Sequence, residues 1–133
     1  MKRLSKQKLM AWSAVAGWML MIFVLSGIPG SALPKVPWKA ACHRVAHFVE
    51  YSVLAVLFLR ALGLSFPPRN RVLLAILALA LTFVFACSDE WHQTFTAGRT
   101  GCLEDVGRDM LYAAAGIVFY WFYNQLSSNN RSA

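Results

Sequence analysis

The acid, base and metal-binding groups of this chain are few, and they are grouped. His43, His47 and Glu50 form one set, Asp89, Glu90 and His92 a second, and Glu104, Asp105 and Asp109 a third. Residues three or four apart share a helix face, so His47 and Glu50, Asp89 and Gln93, and Asp105 and Asp109 are each paired if their segments are helical. Carboxylates pooled in this way could exchange protons with a bound substrate as general acid and base, and Glu50, Asp89, Glu90 and Asp105 are the candidates for that work. Candidates for holding a substrate are His47, Tyr51, His92, Gln93, Arg99 and Asp109. The guanidinium of Arg99 suits either a carboxylate of the protein or a phosphate of a ligand. The opposing reading is architectural: His47, Gln93 and Arg99 satisfy the acids and lock helices together in a polar knot.

No cofactor is expected and no metal ligand is assigned. A divalent cation on His47, His92 and nearby acids would rest on long-range contact alone, because the chain has no H-x-x-x-H or H-E-x-x-H spacing. Of the three cysteines, Cys42 and Cys102 fall between apolar segments on the same side, where an oxidising compartment would allow a disulfide. Spacing does not establish the pairing. Cys87 reads as a small buried residue.

The elements that must position these groups are apolar. The 133 residues are 58% hydrophobic and only 14% charged, with a mean hydropathy of +0.49, whereas a soluble domain is about a quarter charged. Too few polar residues remain to cover a water-exposed surface, so lipid is the expected outside. The net charge of +7 does not indicate nucleic acid, since the basic residues sit between apolar runs and build no single patch. Basic residues in such places anchor and orient membrane helices.

Four segments are long enough to approach the roughly 20 residues that span a bilayer core. Helices are expected at about 9–27, 46–64, 71–89 and 104–124, in a single domain over residues 1–126 with a flexible tail at 127–133. The Ser26-Gly27-Ile28-Pro29-Gly30 stretch breaks the first and Pro67-Pro68 the second, while Trp121, Tyr120 and Tyr123 give the fourth an interfacial aromatic end. A cleaved signal peptide competes for the first segment, with Lys2, Arg3, Lys6 and Lys8 as its charged region. Its apolar run from Leu9 to Leu25 exceeds the usual length of about 7 to 15 residues, which favours a retained helix. The expectation is an all-α polytopic membrane protein, four transmembrane helices in a small bundle with both termini cytoplasmic.

That orientation places Lys2, Arg3, Lys6, Lys8, Arg60, Arg69, Arg71 and Arg131 inside, against Lys35, Lys39, Arg44, Arg99 and Arg108 outside. All six acids fall on the outer side. Ionisable groups at membrane depth are disfavoured by about 2.5 to 3.5 kcal/mol each on insertion scales, so they should face a bundle interior or water. Glu50, Asp89 or Glu90, Arg99 and Asp105 are therefore expected to meet in one outer cavity. A proton-coupled transporter fits less well, because the inner half has no acid to continue a relay.

On these residues the chain resembles the VanZ-like family of bacterial membrane proteins. The resemblance rests on His47-Phe48 with Tyr51, on DEWHQTFTAGR from Asp89 to Arg99, and on Asp105 with Gly116. The chain departs from the family pattern at His43-Arg44, where Asp-Lys is usual, at Asp109 in place of Asn, and at Tyr112 in place of the first Gly. The resemblance implies a four-helix protein of the bacterial cell envelope, with a family name taken from resistance to teicoplanin. With the acids placed on the outer side by the charge pattern, the expectation is an outward-facing site at the plasma (inner) membrane that binds or modifies a lipid-linked or cell-wall intermediate. The alternative is a noncatalytic protein that alters antibiotic access or assists a partner. Membrane lipids are the expected surroundings, and neither substrate nor oligomeric state is set by the sequence.

The topology is tested by thiol labelling of intact cells carrying single-cysteine variants. A reagent that cannot cross the membrane should reach a cysteine placed at Thr96 and spare one placed at Arg69; the reverse pattern would invert the protein.

Overall fold

A computed structural model of the protein describes residues 2–32, 37, 39–66 and 70–130. Four helices account for nearly all of them: α1 (Lys2–Ser26), α2 (Lys39–Ser65), α3 (Arg71–Gln93) and α4 (Leu103–Asn129), with a single 3-10 turn at Gly30–Ala32. Lys35, Pro67-Pro68, Arg69 and Arg131 lie outside the described residues. The helices run further than the apolar segments alone indicate. α2 starts at Lys39, ahead of the hydrophobic run, and α4 continues through Ser127 and Ser128 to Asn129, where a flexible tail was expected.

Local sequence explains the ends. Asn70 caps α3, its side chain accepting from the Val72 amide at 2.9 Å. Glu104 and Asp105 lie in the first turn of α4, where their charge opposes the positive end of the helix dipole. After α3, the chain turns through Gly98, which has φ +73° and so occupies the left-handed region that a side chain disfavours.

Long-range contacts define an up-down-up-down arrangement. Lys8 and Trp12 of α1 reach Ser65 at the end of α2, whereas Trp18 reaches the Glu50 carbonyl, so these two helices are antiparallel. His47 and Ser52 of α2 meet Asp109 and Tyr112 of α4 in ascending order, so α2 and α4 are parallel. α2 touches all three other helices, and α1 packs on α2 and α3 without touching α4. The core follows from this: Tyr51, Leu54, Ala55, Phe58, Ala61 and Leu62 of α2 are buried, met by Ile22, Phe85, Ala113 and Ile117 from the other helices.

α1, α2 and α3 are long and apolar enough to cross a membrane. α4 has the length, 27 residues, but not the hydropathy. Its Tyr112, Tyr120, Trp121 and Tyr123 are amphipathic rings that count as polar on a transfer scale. Large apolar side chains face outward along the helices, among them Leu20, Ile76, Val84, Leu111, Val118 and Phe119. That surface suits lipid rather than water.

Small residues let the parallel pair approach. A Cβ at Gly116 would lie 2.6 Å from the Ser52 carbonyl oxygen, and the Ser52 hydroxyl donates to the Tyr112 carbonyl at 2.8 Å. One turn earlier, the bulky Tyr112 is accommodated by turning its ring edge-on to Phe48, with centroids 5.4 Å apart. Gly116→Ala should therefore destabilise the protein by about 1–3 kcal/mol through overpacking. Gly17→Ala, where nothing lies within 4 Å of the added methyl, should stabilise it by about 0.5–1 kcal/mol. Thermal melting in detergent reads both.

Candidate functional site

The polar end of the bundle is where α1 and α3 finish and α2 and α4 begin. Its centre is Asp89, only 1% exposed. A carboxylate so buried must be given donors. Ser26 of α1 donates to Oδ1, Tyr51 of α2 donates to Oδ2 at 3.2 Å, and Gln93 of α3 itself donates to Oδ2 at 3.1 Å. Three helices thus converge on one side chain, and the Asp89–Gln93 spacing of one helical turn is what aims the amide back at it.

The neighbouring Glu90 ties in the fourth helix. Its Oε2 accepts from the Cys102 backbone amide at 2.8 Å, just ahead of α4, and its Oε1 lies 3.5 Å from Gln93 Nε2. That junction is tight because Gly101 has no side chain; a Cβ there would meet the Glu90 carbonyl oxygen. A second contact across helices joins His47 Nδ1 to Asp109 Oδ1 at 3.0 Å. Asp109 is also 1% exposed, and its other oxygen, Oδ2, is buried without a hydrogen-bond partner.

The other expected members of the site have different partners. Arg99 meets no carboxylate among the described residues. Its Nε donates to the Ile28 carbonyl at 3.3 Å and its guanidinium reaches the Leu25 carbonyl, so it satisfies the open C-terminal end of α1. The same guanidinium lies 3.1 Å from His43 Nε2. Asp105 pairs with Arg108 one turn on, at the rim. Glu50 turns toward α1 and lines an apolar groove with Trp18, Met21 and Val45. His92 stacks on Phe23 at 3.8 Å, with its Nδ1 buried and unpartnered. Glu50, Asp89, Arg99 and Asp105 thus have separate partners and share no direct contact among the described residues. Helix rotation separates Glu50 from Tyr51, since adjacent residues point about 100° apart, whereas Asp105 and Asp109, one turn apart, line the same small cleft with Asp109 at its buried side.

Sequence reasoning missed Ser26, which reads as part of a helix-breaking stretch. Its signal was depth: it closes the first apolar run as Asp89 closes the third. His43 was also underweighted; its ring lies 4.3 Å from that of His47 and links Arg99 to the His47–Asp109 pair. Cys42, Cys87 and Cys102 are free thiols, so Cys42 and Cys102 form no bridge. Among the described residues no three His, Cys, Asp or Glu side chains come together as a metal-binding group.

A family model described as VanZ/LLP1 matches residues 11–124. The chain belongs to the VanZ/LLP1 family. No curated protein and no solved structure matches it. The matched span runs from the third turn of α1 to near the end of α4 and includes Ser26, His47, Tyr51, Asp89, Glu90, Gln93 and Asp109 at the polar end.

The geometry divides the acids into those that hold the bundle and those at its edge. Asp89→Asn places an amide donor among three donors and should lower stability on the order of 3 kcal/mol. Asp105→Asn removes only a rim ion pair and should change it by less than about 1 kcal/mol. Melting of the two variants in the same detergent checks the contrast; equal effects would mean that Asp89 is not the centre of the knot.

Proposed function

We propose that this VanZ/LLP1 protein is a multi-pass protein of the bacterial plasma (inner) membrane, with both termini cytoplasmic and α4 crossing alongside the other three helices. Its polar end faces out and binds a lipid-linked or cell-wall intermediate. The orientation rests on the excess of basic residues at the opposite end and between α2 and α3.

The observation that carries the reading is the orphan oxygen of Asp109. It adjoins a small cleft lined by His43, Arg44, His47, Asp105, Arg108 and Tyr112, whose free volume of about 10 Å³ is that of one water or hydroxyl. A buried carboxylate oxygen without a donor selects a ligand that brings one. The rim beside it offers the cations Arg44 and Arg108, which select an anion. A hydroxyl or amide next to a phosphate, on an apolar carrier already in the membrane, meets both demands, and a polyprenyl diphosphate sugar has that chemistry. With His47 oriented by Asp109, the site also has a base next to the bound hydroxyl.

A second reading, in which the cluster is architectural and the protein alters glycopeptide access or assists a partner without catalysis, is favoured by the saturation of Asp89 and by Arg99 capping α1. Teicoplanin susceptibility is the natural phenotype for either reading.

The experiment uses the purified full chain in lipid nanodiscs with a polyprenyl diphosphate sugar as the probe. Replacing Arg44 and Arg108 together by Gln should weaken binding roughly tenfold or more with melting unchanged, and should shift teicoplanin susceptibility in cells carrying the variant. Unaltered binding and susceptibility would reject the site and leave the architectural reading.

A further inference from the structure

The opposite half of the bundle carries a second surface with a different composition. Between the parallel helices α2 and α4 runs a groove of about 390 Å³, within the range of small-molecule sites. The Ser52–Gly116 contact closes one end of it. From there the helices part, and Val53, Val56 and Leu57 face Phe119 across an apolar slot. At the far end stand Arg60, Tyr120 and Tyr123. The register places them together: Ser52 is level with Gly116, so two turns further along α2, Arg60 is level with the last lining residues of α4.

None of these three polar tips has a hydrogen-bond or ion-pair partner among the described residues, and all six Asp and Glu side chains of the chain belong to the other end. Arg60 is exposed and is the charged residue of the otherwise apolar second half of α2, from Tyr51 to Ser65. The slot from Ser52 to Arg60 covers eight residues, about 12 Å of helix, which approaches the depth of one leaflet, half of the roughly 30 Å hydrocarbon core. An acyl chain entering at the headgroup level would end near the bilayer midplane. A guanidinium there binds phosphate in a two-pronged fashion, and tyrosine hydroxyls sit at headgroup depth. Basic pockets between membrane helices are used for anionic lipid headgroups elsewhere.

We propose that the α2–α4 groove is a binding site for one anionic phospholipid, its acyl chain in the slot from Ser52 to Leu57 and its phosphate on Arg60 between Tyr120 and Tyr123. This site is independent of what the polar end binds. The closure at Gly116 limits the depth of the chain, and the charge of Arg60 selects an anionic over a zwitterionic headgroup.

Native mass spectrometry of the detergent-purified full chain tests it, with phosphatidylglycerol and phosphatidylcholine of the same acyl chains, and glycerol phosphate as a headgroup without chains. The expected result is one retained phosphatidylglycerol, a preference of about tenfold or more over phosphatidylcholine, and no retention of glycerol phosphate. Arg60→Gln, at an exposed position, should abolish the preference, and Val56→Trp should block the slot and reduce retention while Arg60 remains. Equal retention of the two lipids by the unaltered protein, or an undiminished preference in Arg60→Gln, would overturn the proposal and make Arg60 an interfacial anchor only. Should Val56→Trp fail to fold, the Arg60→Gln comparison decides alone.

Discussion

The bundle depends on what it takes to hold the Asp89 carboxylate away from water. An ion at that depth, in a protein surrounded by apolar side chains, is tolerated only if its lone pairs are met by fixed donors. Ser26, Tyr51 and Gln93 provide them, and since the first two come from α1 and α2, the requirement of one side chain fixes the depth and rotation of three helices. Glu90, on the same turn, extends the constraint to the start of α4 through the Cys102 amide. Apolar packing between helices is weakly directional when lipid is the competing solvent. Polar contacts of this kind set the register that packing alone would leave loose.

This division of labour explains why the polar end is not a single basin of acids. Both oxygens of Asp89 already have donors within the protein, and both oxygens of Glu90 are in contact with one. Asp109 has an oxygen to spare, and it lies on the side of the bundle where His43, Arg44 and Arg108 are. The same residue type thus has two different environments one helix apart, distinguished by whether donors reach both oxygens.

Much of this was legible in the sequence, and the parts that were not have identifiable causes. The existence of four helices follows from the length of the apolar runs, and the gathering of acids at one end follows from their places at the ends of those runs. The ends of helices were harder to read. Lys39 and Ser127 prolong helices beyond the hydrophobic stretch because backbone hydrogen bonding continues where apolar composition stops. Depth could be read from position, but rotation could not: Glu50 and Tyr51 are adjacent, yet only Tyr51 reaches Asp89. Arg99 shows a third limit. Its charge implied an anionic partner, whereas the carbonyls left open at the end of α1 provide one without any carboxylate, and no pattern in the sequence marks that contact.

The joint between the two connecting segments has implications for assembly at the ribosome. The Gly30 amide donates to the Ala97 carbonyl at 3.0 Å, next to the left-handed Gly98, and the two glycine backbones are in direct contact. Arg99 caps α1 from the same segment. α1 is synthesised first, and everything that closes its end arrives only after α3 has been made. In the interval the end of α1 has only its local bonds, the Ser26 hydroxyl to the Phe23 carbonyl and the Gly27 and Ile28 amides to the Phe23 and Leu25 carbonyls, a state that its long apolar face can support in a bilayer. The body of α1 can pack on α2 as soon as α2 is made, whereas its end waits for the α3–α4 connection, which closes over it as a latch.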